Sequence, residues 1–330
     1  MRDASHRTGR SAALLVALLT AMAALLLPGV ATPASAAGTI EQVTGFGTNP
    51  GALKMYRYVP TGLPQGRPVV VAMHGCTQNA QGYGTGAGWT ELADRWGFSV
   101  VLPEQTSANN ASNCFNWFQA GDMNRGLGEA ASIAQMVDRQ LADVAGDASR
   151  VYATGLSAGG GMTTVMLATY PEKFAAGGVV AGLPYGCAQA AGSPYVCMYI
   201  GATQTPQQWG DRVRAASSHT GPWPTVSVFQ GTADSTVKPV NMDDIVEQWT
   251  NVHGTDQTAD TSDTVAGYPH KVYRNAGGAA VVETYSITGM GHGQPVDPGT
   301  GATQCGTAGA YILDVNLCAA HRMGQTWGLG

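Results

Sequence analysis

Residues 151–163 read VYATGLSAGGGMT, and within them Ser157 stands in the frame Gly155-Leu156-Ser157-Ala158-Gly159. A serine hydroxyl is a poor nucleophile unless a base takes its proton and an acid orients that base. The frame gains meaning where it joins a strand to a helix, because that turn lifts the hydroxyl above a sheet. A β-branched and aromatic run precedes Ser157 and a helical pattern follows it, so the context is met. Glycines at 155 and 159 suit a turn too sharp for a neighbouring Cβ. A helix starting just after Ser157 would also aim free N–H groups, Ala158's among them, at an oxyanion above the serine. The bland alternative is a loop in which Gly and Ser are ordinary filler. It predicts no acid and no histidine at matching places downstream.

Both occur. The run Thr225–Gln230 (TVSVFQ) leads into GTADSTV, which puts Asp234 just past a predicted strand. The run Val281–Ile287 (VVETYSI) leads into Gly289-Met290-Gly291-His292-Gly293. Carboxyl ends of strands are where α/β sites assemble, and the order Ser157, Asp234, His292 is that of an α/β-hydrolase triad. Asp243 and Asp244 are the rival acids, but they fall on a predicted helix, pointing off the edge. His219, His253, His270 and His321 lack a glycine-flanked strand end and read as surface or packing residues. Upstream, the strand Pro68–Met73 ends in His74-Gly75-Cys76-Thr77, where this fold supplies a second oxyanion donor. The expected donors are the backbone N–H groups of Cys76 and Ala158, with Thr77 in support and His74 bracing the loop.

These residues need a scaffold of alternating strands and helices. Strands are predicted at 52–59, 68–73, 98–102 (stopped by Pro103), 150–154, 175–181, 225–230 and 281–287. Helices are predicted at 89–96, 127–144, 158–170 (stopped by Pro171), 240–252 and 311–327. Regular alternation implies an α/β fold with a mostly parallel central sheet covered by helices on both faces. No internal repeat or Pro/Thr-rich linker interrupts it, so residues 38–330 read as a single catalytic domain.

Residues 1–37 read as a secretory signal peptide: Arg2, Arg7 and Arg10, an apolar run from Ala12 to about Leu27, then Ala34-Ser35-Ala36-Ala37. The run is shorter than the roughly 20 residues of a spanning helix, which disfavours the alternative of a membrane anchor. A secreted, extracellular protein is expected, with no membrane contact after cleavage. Charged residues make up 12% of the 330 and the net charge is −5, without a basic cluster, so nucleic acid is a poor partner. Six cysteines (Cys76, Cys114, Cys187, Cys197, Cys305, Cys318) in an exported chain favour disulfides, although six allow fifteen pairings. Proximity suggests 187–197 and 305–318, leaving 76–114 for a longer loop. No C-x-x-C occurs, and no metal or cofactor is expected.

Beyond these readings, the chain resembles the secreted esterases related to poly(3-hydroxybutyrate) depolymerases, a family that includes feruloyl and acetylxylan esterases. The matching segments are MHGCTQ (73–78), NCFNWF (113–118), VYATGLSAGGGMT (151–163), GTADSTV (231–237), GMGHG (289–293) and WGL (327–329). They span nearly all of the chain after the signal. The resemblance implies an α/β-hydrolase fold, cofactor-free serine ester hydrolysis and catalytic roles for Ser157, Asp234 and His292. It also implies that Cys76 and Cys114 meet, stiffening the oxyanion loop. Depolymerases of solid polyester often carry a linker and a polymer-binding domain, and neither is read here. The resemblance therefore speaks for ester hydrolysis more directly than for attack on crystalline polymer.

The expected activity is hydrolysis of a polyhydroxybutyrate-type polyester or its oligomers by a monomeric enzyme. Feruloyl or acetyl esters on plant xylan are the second substrate class. Trp117, Tyr185 and Trp223 are candidates for lining the substrate cleft from loops at the sheet's carboxyl edge; the alternative is that each packs its own loop. A catalytically inactive secreted binding module, or a peptidase, on the same scaffold are the readings of other kinds.

Overall fold

Alternation along one strand decides how the molecule is layered. In Val69–Met73, residues Val69, Val71 and Met73 enter one apolar core while Val70 and Ala72 enter another, and all five are buried. A strand buried on both faces has to lie inside a sheet sandwiched between helices. The computed structural model describes residues 37–330; the expected signal peptide lies outside the described residues apart from Ala37.

The main strands are β1 (Ile40–Val43), β2 (Lys54–Tyr58), β3 (Val69–Met73), β4 (Ser99–Glu104), β5 (Val151–Leu156), β6 (Ala176–Val180), β7 (Thr225–Gly231), β8 (Thr261–Val265), β9 (Tyr268–Arg274) and β10 (Ala280–Ile287). They form one ten-stranded sheet in the order β1-β2-β4-β3-β5-β6-β7-β10-β9-β8. The six central strands, β4 to β10 in that order, pair in parallel, and antiparallel strands flank them on both sides. The sheet is thus mostly parallel, as the alternation predicts.

Helices cover both faces. Helices α1 (Ala80–Gly86) and α2 (Trp89–Trp96) bury Tyr83, Trp89 and Leu92 in the core that holds Val70. The short α3 (Ala120–Met123), the long α4 (Gly128–Val144) and then α5 (Ala158–Thr169) face the core that holds Val69. Helices α6 (Cys187–Ala191), α7 (Pro194–Ile200), α8 (Pro206–Arg214) and α9 (Val240–Val252) follow, with Trp209 and Trp249 buried on that side. The last, α10 (Ala319–Thr326), returns to the α1–α2 side.

Two expectations need correction, and one unassigned stretch gains its elements. Residues 311–327 are helical only over Ala319–Thr326. The segment before α10 instead forms β12 (Ile312–Asp314), parallel to β11 (Gln294–Val296), and Tyr311 and Asn316 turn at positive φ. Pro103 does not stop β4: it pairs with Met55 of β2, beyond the last β3 partner at Val101, so its missing N–H costs no bond to β3. The stretch 182–214, unassigned from periodicity, carries α6, α7 and α8, short helices fixed by caps such as the Thr205–Gln208 box rather than by a long apolar stripe.

Candidate active site

β5 ends at Leu156 and α5 begins at Ala158, so Ser157 alone makes the turn, at φ 58° and ψ −117°. For a residue bearing a Cβ this conformation costs on the order of 1–3 kcal/mol. Two bonds hold it: the Ser157 N–H donates to the Val180 carbonyl at 2.9 Å, and Gly161 N–H donates to the Ser157 carbonyl at 2.9 Å. The glycine frame follows from close approach. A Cβ on Gly155 would lie 2.4 Å from the Gly159 backbone, and one on Gly159 would lie 2.2 Å from the Met73 carbonyl oxygen. Bare backbone is what brings the end of β3 against the start of α5.

β7 and β10 are parallel neighbours, with Gly231 opposite Ile287, so the Asp234 and His292 loops leave the sheet side by side. They are tied by Thr232 N–H to the Ile287 carbonyl (3.0 Å), Ala233 N–H to the Met290 carbonyl (3.0 Å) and Gly289 N–H to Thr232 Oγ1 (2.8 Å). Asp234 is only 2% exposed, and donors surround its carboxylate. Its Oδ1 accepts from the Thr236 and Val237 N–H groups at 2.8 and 2.9 Å; Oδ2 accepts from Gln230 Nε2 at 3.1 Å and His292 Nδ1 at 2.7 Å. The carboxylate thereby holds the His292 proton on Nδ1 and leaves Nε2 as an acceptor. Asp243 and Asp244 lie in the first turns of α9, and Asp244 Oδ2 accepts from Ala202 N–H at 3.3 Å, away from His292.

The loop after β3 is braced from below. His74 is fully buried, its Nδ1 bonded to the Gly75 carbonyl (2.7 Å) and its Nε2 accepting from Gln105 N–H (3.1 Å). A backbone N–H can only donate, so Nδ1 carries the proton, and burial pushes the imidazole below its ordinary pKa. The Cys76–Cys114 disulfide ties this loop to residues 113–118, and Thr77 N–H donates to the Ser112 carbonyl at 2.7 Å. Among the described residues no acceptor meets the Cys76 N–H, and Ala158, first residue of α5, has no intrahelical acceptor for its own.

Sequence reading missed Glu129. It is buried, and it accepts from Asn116 N–H (2.8 Å), Asn116 Nδ2 (2.7 Å) and Gln105 Nε2 (2.5 Å), while Gln105 Nε2 also reaches the Cys114 carbonyl (3.1 Å). Burial raises its pKa to about 8, against the lowering effect of these donors. Its signal in the sequence was a carboxylate in a first helical turn next to Ala130 and Ile133, on the face that α4 buries.

Two clefts open beside Ser157. One, about 140 Å³, places Ser157 and His292 on a common wall with Cys76, Met198 and Tyr311. The other, about 370 Å³, runs from Ser157 and Ala158 past Trp117, Phe118, Leu183 and Tyr195. Ser157 thus sits where two clefts meet, and it lines one of them together with a histidine oriented by a buried carboxylate.

A family model described as Esterase PHB depolymerase matches residues 53–267. The chain belongs to this family. It is 55% identical over 301 residues to poly(3-hydroxyalkanoate) depolymerase C of Paucimonas lemoignei, covering 91% of this chain and 72% of that protein. It is 34% identical to feruloyl esterase B of Talaromyces stipitatus, over 84% of this chain and 77% of that one. Among solved structures, acetyl xylan esterase from Aspergillus awamori superposes with a TM-score of 0.75 at 28% identity, covering 89% of this chain and all of that one. The protein is a carboxylic ester hydrolase of the α/β-hydrolase fold.

In this esterase the three candidate cleft aromatics part company. Trp117 lines the larger cleft, its ring so close to α5 that a Cβ on Gly161 would lie 2.8 Å away. Tyr185 is buried and lines a different hollow with Met123, Gln189 and Arg212. Trp223 is a correction: it lies two residues before β7, at the amino edge of the sheet, edge-on to His219 and remote from the carboxyl-edge loops. A residue preceding a parallel strand belongs to the opposite edge from one that follows it. Met198, Tyr195 and Tyr311, which the sequence reading passed over, take the places by Ser157.

Proposed function

We propose that Ser157 is the nucleophile of this ester hydrolase, His292 its general base and Asp234 the residue that orients the imidazole. The supporting observation is the 2.7 Å bond from His292 Nδ1 to a buried Asp234, on a histidine that shares a cleft wall with Ser157. Ser157 Oγ attacks the ester carbonyl as His292 Nε2 takes its proton. The Cys76 and Ala158 N–H groups stabilise the oxyanion, each worth on the order of 3 kcal/mol in the transition state. His292 then protonates the leaving alcohol. Water, deprotonated by the same nitrogen, releases the acid from the acyl-enzyme.

The substrate we propose is a polyhydroxyalkanoate-type polyester or its oligomers, cleaved outside the cell after removal of residues 1–37. Identity of 55% to a poly(3-hydroxyalkanoate) depolymerase, against 34% to a feruloyl esterase, favours this class, as do the apolar walls of the larger cleft. Esterified xylan is the second reading, favoured by the acetyl xylan esterase superposition. Turnover of polyhydroxybutyrate film and hydroxybutyrate oligomers, compared with methyl ferulate and acetylated xylan, separates the two. Ser157→Ala should abolish hydrolysis of every active substrate. Retention of more than about a hundredth of wild-type kcat would remove Ser157 as nucleophile.

A further inference from the structure

Helix α7 exposes what a soluble helix normally buries. Its sequence is PYVCMYI, and Tyr195, Val196, Tyr199 and Ile200 all face solvent, with Tyr195 68% and Ile200 70% exposed. Tyr195 and Tyr199, like Val196 and Ile200, are four residues apart, so two adjacent rows merge into one apolar face. The opposite face is anchored by Cys197, buried and bonded to Cys187. Ser193 caps the helix by accepting from Tyr195 N–H at 3.2 Å, and Pro194 starts it. The patch is therefore held rigid by its own element and loses little freedom on contact.

The chain segment that carries the patch is uncharged, although Lys238 and Asp244 of the β7–α9 region bond to the backbone at Met198 and Ala202 beside it. No Asp, Glu, Lys, Arg or His occurs between Lys173 and Asp211, in a chain that carries charge elsewhere along its length. The patch also runs into the candidate active site. Tyr195 lines the larger cleft, Met198 lines both clefts, and the exposed Tyr311 stands at the smaller one with His292. Contiguous exposed apolar surface of this kind marks an interaction site.

We propose that the α7 face docks on the surface of solid aliphatic polyester and delivers chain segments to Ser157. This rests on the polyester reading given above. A neutral, aliphatic partner matches a face built from Val, Ile and Tyr without a charged group. The two tyrosines could stack on a sugar ring, but the branched aliphatic Val196 and Ile200 beside them offer a polysaccharide no hydrogen bond, whereas they match an aliphatic polyester. A second copy of the chain seated on α7 would cover both clefts beside Ser157.

The test measures adsorption to poly(3-hydroxybutyrate) film in a Ser157→Ala background, so that the film survives. Val196→Ser/Tyr199→Ser/Ile200→Ser and, separately, Ile200→Lys should each weaken adsorption at least about tenfold. With Ser157 intact, the same substitutions should leave turnover of a short soluble ester unchanged and slow film erosion. Unchanged adsorption overturns the proposal, as does loss of soluble turnover in parallel with adsorption. Equal α7-dependent retention on insoluble acetylated xylan, or an α7-dependent dimer in sedimentation, also overturns it. Wild-type protein that hydrolyses soluble esters but neither binds nor erodes film would instead refute the polyester reading itself.

Discussion

Asp234→Asn is a change of one atom whose consequence can be worked through bond by bond. Oδ1 faces two backbone donors, the N–H groups of Thr236 and Val237, and neither can reverse its polarity. The amide oxygen of an asparagine must therefore occupy the Oδ1 place, which turns its NH2 toward His292 Nδ1. Gln230 can turn its unpartnered Oε1 to accept from the new NH2 only by giving up the bond from its Nε2 to the Val237 carbonyl (3.0 Å), a smaller loss than leaving two backbone donors against an NH2. His292 is then forced to accept at Nδ1 and carry its proton on Nε2, where it cannot take one from Ser157. The opposite orientation leaves two buried N–H groups against an NH2, at about 1–3 kcal/mol each. A bias of about 2–6 kcal/mol corresponds to roughly 30-fold to more than 10⁴-fold. Lost stabilisation of the imidazolium moves the effect toward the upper end. We expect kcat on a chromogenic short-acyl ester to fall by several orders of magnitude, with KM and the unfolding midpoint near wild type. Asp243→Asn and Asp244→Asn at neutral pH are the controls. A folded Asp234→Asn enzyme within tenfold of wild-type kcat would refute the reasoning, and a control that lost activity in its place would move the acid to α9.

Two further outcomes follow from the packing and the titration of groups away from the nucleophile. Gly159→Ala puts a Cβ 2.2 Å from the Met73 carbonyl oxygen, so β3 and the serine turn must separate; a loss on the order of 3 kcal/mol in stability should accompany loss of activity, whereas Gly121→Ala, with open space, should be silent in thermal unfolding. Burial first, and then the neighbouring carboxylates, raise Asp244 from the usual carboxylate range to about 7. Between about pH 4 and 7 the unfolded chain has released this proton and the folded chain has kept it, so stability falls as pH rises through that window. Asp244→Asn should flatten the fall, read as a smaller difference in Tm between pH 4.5 and 8, and parallel curves for the two proteins would count against the assignment.

Much of the architecture was legible in local pattern. Buried parallel strands announce themselves as unbroken apolar runs, and Trp89–Trp96 and Val240–Val252 match their predicted bounds because amphipathic period and terminal residues agree there. The β8–β9 hairpin was harder to read: it turns through Ala266-Gly267, both at positive φ, and only the glycine is a residue that such a turn favours. α1 was not legible: AQGYGTG holds three glycines, and it is helical because Asn79 caps it and Gly84 lets Leu102 approach to where a Cβ would lie 2.9 Å away. Residues 311–318 were misread for the same kind of reason, since pairing with β11 and the Cys305–Cys318 bridge outweigh local helix preference.

The site divides along the same line. Residue type, glycine spacing and position after a strand pointed by themselves to Ser157, Asp234 and His292, because that chemistry needs particular side chains at particular strand ends. Which surfaces surround Ser157 was decided by tertiary structure alone. Trp223 and Trp117 look alike as loop aromatics, yet one precedes its strand and ends at the far edge while the other lies against Gly161. Met198 and Tyr195 reach the clefts through a short helix whose placement depends on the Cys187–Cys197 bridge. Glu129 and Gln105 meet across 24 residues of sequence to hold the loop at Cys114. Such contacts bring together segments that no local window contains, so only packing of the whole sheet and its helices could specify them.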